Sequence, residues 1–124
     1  MQDLITDVFA QALVRLVRDI AIGNCLARLT PDARSPIEKR YAAALGGANL
    51  EPIRDLIVPD CVDQANFCLL NAIDDGGLKL TFTGPDGRQV GLTEDGLSEL
   101  AGWYVMEEEE GWRERFSRKR INDY

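Results

Sequence analysis

The sequence predicts a mainly helical α+β chain, with four to six helices and one β-hairpin over about 78–83 and 88–92. Three observations lead there. Apolar residues recur at three- and four-residue steps through residues 3–29 and again through 60–74, which is the helical period. Between Leu78 and Leu92 the period drops to two on either side of Gly84-Pro85-Asp86-Gly87. Strong stop and start residues, such as Ser35-Pro36 and Gly46-Gly47, fall at the edges of the periodic segments.

The first segment carries Leu4, Ile5, Val8, Phe9, Ala12 and Leu13, then Leu16, Val17 and Ile20. At 100° per residue these fill a wide arc, leaving the rest to Asp7, Gln11, Arg15 and Arg18. So wide an arc implies two neighbouring elements, or one neighbour and a second subunit. A homodimer through the 3–22 apolar face follows as an expectation. Gly23-Asn24 either ends this helix or lets it run on to Thr30-Pro31.

Ser35-Pro36-Ile37-Glu38 spells a capping box with proline at the first helical position. Ile37, Tyr41, Ala44 and Leu45 share a face, and Gly46-Gly47 stops the helix. Leu50 to Val58 reads as a short helix ended by Pro59, because a residue before proline avoids the α region.

Asp60 then caps a helix running to Asp74. Cys61, Val62, Ala65, Cys68, Leu69, Ala72 and Ile73 form its expected core face. Phe67 and Leu70 fall on a second stripe with Asp63 and Asp74, an acidic-hydrophobic contact surface or a second buried face. In the hairpin Leu78, Leu80 and Phe82 alternate with polar residues and are expected to pack on helices. Thr93 caps the next helix, whose buried face is Leu97, Leu100, Ala101 and Tyr104, ending at Gly102-Trp103. Glu107 to Glu110 lead into a basic segment with Trp112 and Phe116 on one helical face.

The 124 residues fit one domain: a helical half (1–58), a helix–hairpin–helix (59–104), and an acidic linker with a basic terminal segment (105–124). The net charge of −7 is uneven. Residues 61–111 hold two basic and eleven acidic side chains; residues 112–124 hold five basic and two acidic. That middle field repels phosphate backbones and attracts a basic partner. The basic terminal segment is expected to fold back on the acidic middle.

No histidine is present. That removes Ser-His-Asp and Cys-His triads and HExxH zinc sites. Nucleotide-cradling glycine motifs are absent too. Cys25, Cys61 and Cys68 lack metal-ligand spacing and read as small core residues. Abundant Asp and Glu leave open a carboxylate-based or metal-assisted enzyme. The acidic start MQDLITD, the absence of a long apolar run and the unpatterned cysteines point to a cytoplasmic chain that does not enter membranes.

The order helix, hairpin, helix, with GPDGRQ as the wing and LTEDGLSEL after it, resembles the second half of a winged-helix domain over about 45 residues. The resemblance implies a regulator. Asp60 to Asp74, at the recognition-helix position, has no Lys or Arg for phosphates or guanine edges. Protein contact is therefore the expected use, and nucleic acid, met through the basic terminal segment, the alternative.

The leading expectation is a small acidic, non-catalytic protein-binding domain, of the immunity or antitoxin type, that occludes a basic protein target. Its binding residues are Trp103, Tyr104, Glu107, Glu108, Glu109, Glu110 and Trp112, with the stripe of Phe67 and Leu70. Catalytic residues, metal ligands and a cofactor are not expected.

Overall fold

Six helical stretches and one two-stranded hairpin account for the regular structure of residues 4–118, the part that the computed structural model describes. The chain is thus mainly helical α+β, as the periodicities predict. No described helix is long and apolar enough to cross a membrane.

The first rod joins α1 (Leu4–Ala12), a π-helical segment (Leu13–Arg18) and α2 (Asp19–Arg28). It passes through Gly23-Asn24 without a break. Thr6, Ala10, Val14, Arg18 and Ile22 are buried at four-residue steps. In a regular α-helix Thr6 and Ile22 would sit about 160° apart. The i→i+5 turn absorbs one extra residue and sets the face back by about 100°. One stripe therefore stays on the core along the whole rod. The same rotation corrects the sequence reading of Arg18: it is 1% exposed, not on the polar side. Leu16, Val17 and Ile20 are turned outward, with 66%, 47% and 50% of their surface exposed.

Helix α3 (Pro36–Leu45) starts where the capping box puts it. Ser35 Oγ accepts from the Glu38 amide at 3.1 Å, and Glu38 Oε1 accepts from the Ser35 amide at 2.9 Å. Gly46, at φ +55°, closes it in the left-handed region that glycine tolerates.

The second long rod corrects two expectations. A π-helical segment (Ile53–Ile57) runs without interruption into α4 (Val58–Asp74), so Pro59 ends nothing and Asp60 is not a cap. A proline ring crowds the carbonyl four residues back and offers no N–H. The widened turn just ahead, in which the Val58 amide donates to Ile53 O, opens the backbone where the ring needs room.

The α4 face is also turned, although Ile73 is inside as expected. Asp63, Asn66, Leu70, Ile73 and Asp74 are buried, while Cys61, Ala65 and Cys68 are exposed and Cys25 is half-buried. The cysteines are not core residues. The buried acids are tolerated because they are bonded. Asp74 accepts from the Leu100 amide at 3.1 Å and the Ala101 amide at 3.0 Å, capping α6 from a distant helix.

Strands β1 (Thr81–Thr83) and β2 (Gln89–Gly91) pair antiparallel, Phe82 opposite Val90. Gly87 sits at φ +86° in the turn. The strands are shorter than the alternation suggests, and Leu78 and Leu80 lie exposed. Val90 and Leu92 make the buried contact, with Phe82 half-buried beside them.

The helix expected from Thr93 to Trp103 is broken. Helix α5 (Leu92–Asp95) is one turn; Leu97 and Ser98 take φ values of +55° and +58°; then α6 (Leu100–Val105) begins. Leu97, expected inside, is 69% exposed. Thr93 is no cap: its hydroxyl donates to Ile73 O at 2.9 Å. The break lets Leu100 and Ala101 present their amides to Asp74. After Gly111, α7 (Trp112–Phe116) crosses back to the first rod.

The core joins Ile5, Ala10, Leu13 and Val14 of the first rod to Leu70 and Ile73 of α4. Val90, Leu92, Leu100, Tyr104 and Trp112 close it from the hairpin and the C-terminal helices.

Candidate functional site

Two places concentrate polar chemistry: a buried hub between the long rods and the C-terminal helices, and an acidic turn between α6 and α7.

The hub centres on Asp63. Its Oδ1 accepts from Arg18 Nε at 2.8 Å and from the Tyr104 hydroxyl at 2.5 Å. Its Oδ2 accepts from Arg113 Nη1 at 2.9 Å. Asn66 Nδ2 donates to the Tyr104 hydroxyl at 3.0 Å. Arg18 Nη1 also donates to Asp19 at 3.0 Å, and Asp19 accepts from the Ser117 hydroxyl and the Arg118 amide. Two carboxylates thus face two guanidinium groups with charge-assisted bonds at each, the arrangement that makes buried charge tolerable. Arg113 further donates to the carbonyls of Tyr104 and Val105, closing the C-terminus of α6. Arg115 pairs with Asp7 at 3.2 Å, and Arg15 Nε donates to Phe116 O at 2.9 Å. The described part of the basic segment is therefore folded onto the chain itself. Its anchor points are Asp63 in the middle and Asp7 and Asp19 on the first rod. Lys119 and Arg120 lie outside the described residues.

Burial, and then the Asp63 carboxylate beside it, push the Tyr104 phenol well above its ordinary value. The stability linked to this shift is complete below about pH 10, where an unfolded tyrosine stays neutral. It falls as pH rises above that, by up to about 1.4 kcal/mol per pH unit. A titration followed at 295 nm should show a tyrosine component that appears only as circular dichroism reports unfolding. That component should be missing from Tyr104→Phe. Complete tyrosine ionisation in a still-folded protein would contradict the hub geometry.

The acidic turn holds Glu107 to Glu110, all exposed. Among the described residues none of the four forms an ion pair. The turn closes through the Gly111 amide, which donates to Glu108 O at 2.9 Å.

The sequence-predicted binding residues separate into three groups. Leu70, Tyr104 and Trp112 are fully buried, which corrects their place on a contact surface: their surface is spent on the core and the hub. Phe67 and Trp103 are half-buried against that core, the Trp103 ring 6.1 Å from that of Trp112. The four glutamates alone are at the surface. The acidic-hydrophobic stripe of α4 is real, but its contacts are internal. Arg18, Asp19, Asn66 and Arg113 were not singled out by sequence reasoning. The available signal was Asp63 lying in one helical stripe with Phe67, Leu70 and Asp74.

Among the described residues no group of three or more Cys, Asp or Glu side chains is placed to hold a metal ion. No family model, curated protein or solved structure matches the chain.

Proposed function

We propose that the chain is a small acidic, non-catalytic protein-binding domain that engages a basic surface on its target, as an immunity or antitoxin-type inhibitor does. The observation that carries this reading is how the charge is divided. Arg18 and Arg113 are spent on Asp63, and Arg115 on Asp7, while Glu107 to Glu110 stand exposed and unpaired among the described residues. The same division weakens the nucleic-acid reading, because cations bonded to the chain's own carboxylates have to be released before they meet phosphates. Charges at an interface rim mainly set the association rate and its salt dependence.

The test is a pull-down from native lysate with the wild-type chain and with Glu107–Glu110 changed to Gln. Association kinetics of the captured partner follow at several salt concentrations. The variant should associate about tenfold more slowly at low salt, with dissociation little changed. A partner captured equally by both proteins, with the same salt dependence, would refute steering by this turn.

A further inference from the structure

A groove of about 480 Å³ runs between the first rod and the hairpin. Val8, Ala12 and Leu16 line it from the rod, Phe82 and Pro85 from the hairpin. Among the described residues, Arg15 and Arg118 are the charged members of its lining, and no Asp or Glu contributes. On a chain of net charge −7 this is a local reversal of sign.

Arg15 lines the groove with its side chain half-buried. It lies in the π-helical segment, a distortion that recurs at functional sites. Its Nε bond to Phe116 O fixes the guanidinium, and its two terminal nitrogens bond no acceptor among the described residues. Arg118 is tied through its backbone amide to Asp19, which places its side chain at the same groove. The volume lies within the roughly 300–1,000 Å³ of small-molecule sites, and the lining is apolar with few polar groups, as such sites are. Guanidinium groups match the planar fork of a carboxylate with two parallel charge-assisted bonds, which a neutral head does not offer.

We propose that this groove binds a small carboxylate with an apolar body, its head on Arg15 and Arg118 and its body along Val8, Leu16 and Phe82. The groove shares no described residue with the acidic turn, and the proposal is independent of the reading above.

Decanoate is the probe, titrated by calorimetry at fixed ionic strength and below its micelle-forming concentration, with decanol and decyl phosphate as comparators. Saturable one-to-one binding of decanoate is expected, with decanol at least tenfold weaker and decyl phosphate no tighter than decanoate. Arg118→Gln, at an exposed side chain, should weaken decanoate at least fivefold. Leu16→Glu, at a residue already 66% exposed, should abolish binding while leaving the thermal midpoint in place. The proposal is overturned by absence of saturable decanoate binding, by decanol binding as well as decanoate, or by undiminished affinity in both variants. Tighter binding of decyl phosphate would overturn the carboxylate assignment.

Discussion

Asp63→Ala is expected to cost about 3–5 kcal/mol of folding stability, the range for breaking a buried ion pair from one side. The substitution removes the carboxylate that both Arg18, 1% exposed, and Arg113 bond, and leaves the Arg18 guanidinium its bonds to Asp19 and the Ser117 hydroxyl. It also orphans the Tyr104 hydroxyl except for Asn66. Typical domains hold only about 5–15 kcal/mol in total, so the loss is a large fraction of the whole. Urea unfolding followed by tryptophan fluorescence and circular dichroism measures it. Asp63→Asn, which keeps acceptor and shape but not charge, should fall between wild type and Ala. A loss below about 1 kcal/mol for Asp63→Ala would mean that water replaces the carboxylate and that the hub is not a staple.

Gly111→Ala should lose about 2–3 kcal/mol, the cost of forcing volume into a packed site. The reason is space, not backbone angle: Gly111 has φ −64°, open to any residue. A β-carbon there would lie 1.9 Å from the Met106 carbonyl oxygen and 3.2 Å from that of Glu108. Both are backbone atoms, so the turn itself has to reopen. Trp112, the next residue, is fully buried against Phe9, and its near-ultraviolet signal should weaken together with stability. Gly102→Ala is the control. Nothing lies within 4 Å of a β-carbon at that position, and it sits inside α6, where alanine gains about 0.5–1 kcal/mol over glycine. Equal effects at the two glycines would sink the packing argument.

Element type was legible wherever the signal is local. The capping box at Ser35 depends on atoms within three residues, and the structure has both of its bonds. The Gly84–Gly87 turn and the alternation around it likewise specify a hairpin with few distant contributions. The α4 face was not legible, because counting apolar residues assumes that carboxylates seek water. Asp63 and Asp74 are buried since their partners, Arg18 and the amides of Leu100 and Ala101, come from 26 to 45 residues away. Pro59 misled for a related reason. Its usual cost is relieved by a π turn that periodicity alone does not announce.

The candidate surface follows the same division. Four consecutive glutamates are a sequence feature, and their exposure is what such a run implies. The neighbouring aromatics were legible as a cluster but not as interior. Tyr104 and Trp112 are buried because α6 and α7 fold back across the two rods. The Arg15–Arg118 groove could not be read from the chain at all, since 103 residues separate its two cations and a π turn aims the first.

By itself, then, the sequence determined a mainly helical α+β chain, its hairpin, its best-capped helix and an acidic middle with a basic tail, all properties of short segments and of composition. The tertiary structure alone decided which face of each long helix is inside and where each charge goes. The physical reason is that burying an ionisable group is settled by its partner, and here the partners of Asp63 and Asp74 belong to distant parts of the chain, as do the Ser117 and Arg118 groups that bond Asp19.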